Sequence, residues 1–212
     1  MKIQFLYPLC LRCGALSVRS GLFCRTCETE FLFPRLMKHR RLIENQNVDF
    51  LLHWVPDESD SLSELVYLLK NRLSFSVWKY YAEKFINLHP PMKELKTALI
   101  PVPGSRRGKV AYHTRYFALA WQHFCSGDIM NCLVSAAEQG EQKDLALSER
   151  GGATMSFLED FTSVMGDYDR VVLIDDIVTS GNTLQASLTA LKPYLRSDCL
   201  VEIKALLSRD KI

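Results

Sequence analysis

The stretch that decides the fold is VVLIDDIVTSGNTL, residues 171–184. Four apolar residues, most of them β-branched, run without a polar break into Asp175 and Asp176. An unbroken apolar run suits a strand covered on both faces, because a strand with one wet face would alternate. Such a strand is central in a parallel sheet, and the C-terminal ends of central parallel strands line the crevice where open α/β sheets bind ligands. Two acids side by side repel, so a fold that keeps both needs positive charge or hydroxyls in front of them.

The segment TSGNT that follows brings hydroxyls at Thr179, Ser180 and Thr183, with Asn182 between them. Gly181 lets the backbone approach a ligand closely, and the helix expected from Leu184 to Leu195 opens its N–H groups toward the same place. Strand end, loop and helix start together make a cradle for a phosphate monoester. Two acids cannot hold that same phosphate, but carboxylates accept hydrogen bonds from vicinal hydroxyls. A ribose 5-phosphate fits, with Asp175 and Asp176 on its 2′ and 3′ hydroxyls and the loop on its phosphate. No GKS, GKT or GxGxxG spacing is present, so this is neither a Walker loop nor a dinucleotide fingerprint. The bland alternative is a strand-to-helix turn with solvated acids.

Composition sets the frame. A chain of 212 residues with 48% hydrophobic content suits one large α/β domain, or a medium domain with a small appendage, and excludes a disordered chain. With 26 Lys and Arg against 24 Asp and Glu, net charge gives no whole-surface attraction to nucleic acid. No run approaches the roughly 18 apolar residues of a membrane helix, so no membrane insertion is expected. The start MKIQFLYPLC lacks the features of a signal peptide, and the expectation is a cytoplasmic protein.

Four of the seven cysteines, Cys10, Cys13, Cys24 and Cys27, form two CxxC pairs within the first 27 residues. A two-residue spacer turns both sulfurs of a knuckle the same way, and two knuckles supply four thiolates to one tetrahedral ion. Disulfides are the competing reading; zinc is favoured for a reducing compartment. Four ligands close the site, which makes the ion structural. Cys125, Cys132 and Cys199 lie in apolar surroundings and read as packing residues.

The expected domains are a four-cysteine motif over residues 1–35 and an α/β domain over 36–212. FLFP, residues 31–34, is the apolar exit of the first, and the KHRR run, residues 38–41, reads as a solvated helix face. VDFLLHWV is a strand. SLSELVYLLK opens as a capped helix with Ser61 and Glu64 at capping-box spacing. A helical pattern resumes through FSVWKYYAEKF to the His89-Pro90-Pro91 punctuation, a plausible internal boundary. Beyond it, strands TALIPVP, NCLVSAA, YDRVVLIDD and LVEIKALL alternate with helices at Ala111–Phe124, Ala153–Phe161 and Leu184–Leu195, the order a parallel sheet demands.

VVLIDDIVTSGNT resembles the phosphoribosyl pyrophosphate signature of type I phosphoribosyltransferases. Joined to the four-cysteine N-terminus, and with ELVYLLKNRLSF, LIPVPGSRRGK and QKDLALSER, the chain resembles the ComF family of competence-associated phosphoribosyltransferase-like proteins over nearly its whole length. The resemblance implies the type I phosphoribosyltransferase fold, a parallel sheet flanked by helices, with a hood over the site. It implies Mg2+ entering with the pyrophosphate, beside structural Zn2+. Arg106 and Arg107, after the first strand, would face the pyrophosphate, and Lys143 and Arg150 would close from a lid. Where the family carries Arg-Gly-Phe-Asn-Gln, this chain has KVAYHTRYFAL, with His113 and Arg115 as candidates for the lost contacts. After QKDLALSER, Gly151 and Gly152 come before Ala153 in place of the family's asparagine. Two functions follow from the resemblance. One is transfer of phosphoribose from phosphoribosyl pyrophosphate to an acceptor, in natural transformation or the use of imported DNA. The other is a non-catalytic module for a nucleotide or single-stranded DNA that meets other competence proteins.

Overall fold

The computed structural model describes residues 9–37, 39–43, 45–55, 61–71, 75–90, 94–104, 111–135 and 154–209. A short helical turn, α1 (Arg25–Cys27), precedes the hairpin β1 (His39–Ile43) and β2 (Gln46–Trp54). Then come α2 (Ser61–Asn71), α3 (Phe75–Leu88), β3 (Thr97–Pro101), α4 (Tyr112–Phe124) and β4 (Asp128–Ile129). The strands β5 (Leu133–Ser135) and β6 (Met155–Phe157) lead to α5 (Thr162–Met165), β7 (Arg170–Val178), α6 (Asn182–Leu191) and β8 (Leu200–Arg209). Six strands form one sheet in the order β1-β2-β8-β7-β3-β4. Every pairing in it is parallel except that of β1 with β2. The chain is therefore α/β, with a mostly parallel mixed sheet flanked by helices and a four-cysteine cluster at its N-terminal end.

As the apolar run predicts, β7 is interior, between β3 and β8. Its residues divide between two cores. Val172 and Ile174 join α2, α3 and α4 on one face, while Val171 and Leu173 join α6 and the β5–β6 pair on the other. The same alternation places Leu99 of β3 on the first face and Ala98 and Ile100 on the second. From β3 the chain passes through α4 to β4 on one side; from β7 it passes through α6 to β8 on the other. Crossovers of one hand running in opposite directions put their helices on opposite faces. The connections therefore diverge between β3 and β7, which makes the C-terminal ends of these two strands the sheet's switch point.

Several expectations change. The KHRR run is not a helix face: from His39 it is strand β1, alternating in burial and paired with β2, and Arg40 reaches across the ladder to Asp49 at 2.8 Å. Of NCLVSAA, the described residues form a strand over Leu133–Ser135, paired antiparallel with β6 in a separate two-stranded sheet, and Asp128–Ile129 takes the edge of the main sheet. Where a helix is expected over Ala153–Phe161, the described residues form β6 and a short 3-10 turn, Glu159–Phe161. Met155 and Phe157 alternate about Ser156, and the ladder with β5 takes up the backbone groups that a helix would have paired internally. Ser61 is the first helical residue of α2; the residue before it lies outside the described residues. His89 and Pro90 do not separate two cores, since α3 before them and α4 after them share one cluster. No helix among the described residues is long and apolar enough to cross a membrane.

The N-terminal segment belongs to that cluster too. Phe23, Phe31 and Leu32 are buried with Trp78, Tyr81 and Phe85 of α3. The Tyr81 hydroxyl donates to the Gly21 carbonyl at 2.8 Å, and Tyr80 donates to Glu28, whose other oxygen meets Arg19 at 3.0 Å.

Charge is buried within the sheet as well. Asp49 of β2 is 6% exposed and accepts from Lys204 of the neighbouring β8 at 2.6 Å and from Arg40 of β1 at 2.8 Å, with His89 Nδ1 at 3.6 Å. Lys204 also meets Glu202 at 3.0 Å. Burial would raise the Asp49 carboxyl, but the hydrogen bonds from Arg40 and Lys204 outweigh it and hold the group below the usual range. Asp49→Ala leaves Lys204 buried without its closest acid, and urea unfolding should show a loss of about 3–5 kcal/mol. A depressed folded-state value means that this stability is present above the unfolded value of about 3.9 and fades as pH falls through the folded one. Wild type should therefore lose stability in acid more steeply than Asp49→Asn.

Candidate functional site

β7 carries Asp175 and Asp176 to the switch point, and the two acids meet different surroundings there. Neighbouring strand residues point to opposite faces. Asp176 is 8% exposed, and its Oδ2 lies 3.5 Å from Lys70 Nζ of α2 and 3.4 Å from His113 Nε2 of α4. That oxygen is fully buried and accepts no hydrogen bond among the described residues. Asp175 is half-buried, and its Oδ1 accepts the backbone N–H of Asp176 at 2.8 Å. Burial first, and then the charge of Asp176, push the Asp175 carboxyl well above the ordinary carboxylate range. His113 is shifted the other way: burial lowers its value and Lys70 adds to that, against the pull of Asp176.

Lys70 is the residue that sequence reasoning missed. It closes an amphipathic helix where a lysine is ordinary, and no local spacing links it to a strand a hundred residues later. His113 was named only as a replacement for a lost contact. Arg115, named with it, is exposed on α4.

The loop after β7 is set by one glycine. Gly181 is the N-cap of α6 with φ at 84°, in the left-handed region that side chains avoid. A Cβ there would lie 2.3 Å from Cγ2 of Ile43 in β1, so the edge strand packs directly on the loop. Thr179, Ser180 and Asn182 are exposed, and Thr183 is half-buried. The Asn182 N–H faces Ser180 Oγ at 3.5 Å, and the Gln185 N–H closes the first helical turn on the Gly181 carbonyl at 2.9 Å. First-turn N–H groups have no intrahelical partner, so the five residues from Thr179 to Thr183 combine open hydroxyls with open amides. Helix α6 starts two residues earlier than expected, at Asn182, which draws Asn182 and Thr183 from the loop into its first turn. Arg106, Arg107, Lys143 and Arg150 lie outside the described residues.

The second site is the cysteine cluster. The sulfurs of Cys10, Cys13, Cys24 and Cys27 all lie within 4.8 Å of one another, with Cys13 and Cys24 at 3.7 Å. None is in a disulfide, and the set can hold one metal ion. Tight turns build it: Gly14 takes φ at 71° and its N–H returns to the Cys10 carbonyl at 2.9 Å, while the Cys27 N–H points at Cys24 Sγ. Burial opposes ionisation of Cys10, but backbone N–H groups of Cys24, Cys13 and Arg12 bring it down to about 6. Cys27 is pushed up to about 12 by burial and by hydrogen bonds with the other three sulfurs. Without a cation, one thiolate makes its neighbours keep their protons; a central cation removes that conflict. Cys125 and Cys132 are apolar packing residues, with burial raising them to about 11 and about 12.

Gly181→Ala should cost about 2–4 kcal/mol in denaturant unfolding, from the left-handed backbone and the clash with Ile43. Adding Ile43→Ala should return part of it, because the two positions touch. Cys10→Ser should lower the bound metal measured by elemental analysis and lower the melting temperature together. No protein-family model matches the chain, and a comparison with curated proteins found no match.

Proposed function

We propose that the chain is a phosphoribosyltransferase-like protein that binds phosphoribosyl pyrophosphate, or a related ribose phosphate, at the crevice between β3 and β7. What carries the reading is the coincidence of an acid pair and a hydroxyl-rich, glycine-capped loop at the end of one interior parallel strand, where the sheet's connections diverge. An α/β architecture with a mostly parallel sheet agrees with the type I phosphoribosyltransferase fold. The four-cysteine cluster beside it agrees with the ComF resemblance and with a role in natural transformation and use of imported DNA. In this reading the cluster holds structural zinc, since zinc–sulfur bonds of about 2.3 Å set sulfurs about 3.8 Å apart in a tetrahedron.

The residues divide the work by chemistry. The acid pair supplies the carboxylate acceptor for the ribose hydroxyls, and residues 179–183 hold the 5′-phosphate. Arg106 and Arg107, with Lys143 and Arg150, would face the pyrophosphate as charge develops on it during an oxocarbenium-like transfer. Magnesium, bound with the ligand, would supply countercharge to that pyrophosphate.

A second reading, a non-catalytic module for a nucleotide or single-stranded DNA, has one observation in its favour. Arg41 donates to Ser208 Oγ at 3.3 Å and to the Arg209 carbonyl at 3.4 Å, while Arg209 lies over Trp54. Among the described residues neither guanidinium has a carboxylate partner, and Ser208 pairs with Val178, next to the loop. Cations beside a partly buried indole are compatible with a phosphate–base strand.

Calorimetric titration with phosphoribosyl pyrophosphate and magnesium should give saturable binding, weakened at least about tenfold in Asp175→Asn, as expected for losing a charged hydrogen bond. Equal affinity in wild type, Asp175→Asn and Asp176→Asn would remove the ribose assignment. Pyrophosphate release in a nucleobase screen separates transfer from binding alone. If single-stranded DNA binds instead, its affinity should fall with salt.

A further inference from the structure

We propose that Lys70 and His113 are positioning residues of the acid pair: they hold Asp176 on the side of the sheet covered by α2 and α4, and leave Asp175 as the acceptor for a ligand hydroxyl. The inference deepens the ribose-phosphate reading and rests on it for the identity of the ligand. A symmetric clamp needs both carboxylates to reach one sugar from one side. Here the two carboxyls meet each other, but Lys70 and His113 make their close contacts with Asp176, the more buried of the pair.

Three elements converge on Asp176. Lys70 Nζ approaches from the last turn of α2 at 3.5 Å, and His113 Nε2 from the first turn of α4 at 3.4 Å, both on the same oxygen, Oδ2. Only 8% of Asp176 is exposed and that oxygen is fully buried, so what faces it is Lys70 and His113 rather than solvent. Asp175 has Oδ1 on the Asp176 amide at 2.8 Å and its carboxyl also meets that of Asp176, but it is the less buried of the two acids and so the one a ligand hydroxyl can reach. Among the described residues, the titratable groups facing Asp176 are Lys70 from α2, His113 from α4 and Asp175 on its own strand. Lowered protonation of His113 agrees with this division: a neutral imidazole can donate to Asp176 without adding a second positive charge beside Lys70. Lys70 keeps 44% of its side chain exposed, so it spans from the buried acid to solvent.

Residues that act through Asp176 should lose their effect once Asp176 is changed. In ribose 5-phosphate titrations, Lys70→Gln and His113→Gln should each weaken binding about three- to tenfold, the scale of one lost electrostatic contact to a carboxylate. Neither should weaken it further in an Asp176→Asn background, and Lys70→Arg should recover most of the affinity. Without any ligand, the His113 imidazole followed by NMR should titrate higher in Lys70→Gln and lower in Asp176→Asn than in wild type. A role in folding alone would leave that titration where it is. Full additivity of Lys70→Gln with Asp176→Asn, or a His113 titration indifferent to both changes, overturns the proposal. If wild type binds no ribose 5-phosphate, the ligand reading fails, and the imidazole titration still decides whether Lys70 and His113 act on Asp176.

Discussion

A carboxylate buried next to a second carboxylate has to be met by positive charge or donated protons, and Asp176 imposes that requirement on everything packed around β7. The charge cannot come from the strand itself, whose neighbours there are apolar. It comes from α2 and α4, which must both dock on one face of the sheet for Lys70 and His113 to reach the same oxygen. Their docking is driven by Leu65, Leu69, Phe117 and Trp121, all buried in the cluster that also contains Val172 and Ile174 of β7. Apolar packing thus fixes where two polar groups stand, and the polar groups make the acid tolerable at the end of an apolar strand. The opposite face carries no such duty. It is filled by α6 and the β5–β6 pair, and there the chain places the loop with its hydroxyls.

The interior strand was legible because it is local: four apolar residues in a row state that both faces are covered, and both are. Helices α2, α3 and α4 were legible for the same reason, from apolar residues recurring at helical spacing. Failures fell where pairing rather than propensity decides. His39–Ile43 is rich in arginine and reads as a solvated face, yet cross-strand contact between Arg40 and Asp49 makes it an edge strand, with charged side chains that also discourage pairing with another chain. Met155–Phe157 is a strand only because Leu133–Ser135 lies opposite. At the site, the acids, the loop and the cysteines were visible as motifs, since their chemistry is carried by close spacing. Lys70 was not, because its role comes from a contact with a residue 106 positions later, Asp176.

The cysteine motif and helix α3 are also joined through contacts that no motif records. Cysteines at positions 10, 24 and 27 are buried in the cluster that contains Trp78, Tyr81 and Phe85, so the knuckle supplies part of the wall behind α3. Phe23 and Leu32, both fully buried, hang from the same turns that orient the sulfurs. An ion at that cluster would therefore order more than its own loop. It would hold in place the apolar residues on which α3 rests, and α3 packs in turn against α4, which carries His113. A closed four-cysteine set has no free position for a substrate, so its contribution to the site is this indirect one.

Ile43 makes the corresponding connection at the loop. Its side chain occupies the space that a Cβ on Gly181 would need, which means that the position of β1 and the left-handed backbone of Gly181 are mutually required. Glycine takes φ above zero at little cost, so what Ile43 fixes is the residue type: any side chain at 181 would meet a strand from the first quarter of the chain. The hydroxyls of Thr179 and Ser180 precede that glycine directly, so their direction is fixed by the same contact. Strands β1 and β2 are paired by their own ladder and by exposed Arg40 on buried Asp49, Asp49 ties β2 to β8 through Lys204, and β8 lies between β2 and β7. Displacing β1 would release Gly181, and with it the loop geometry, without touching either acid. The edge hairpin is therefore the support on which the loop's preorganisation depends, while α2 and α4 support the acids; the two halves of the candidate site are held from opposite faces of one strand.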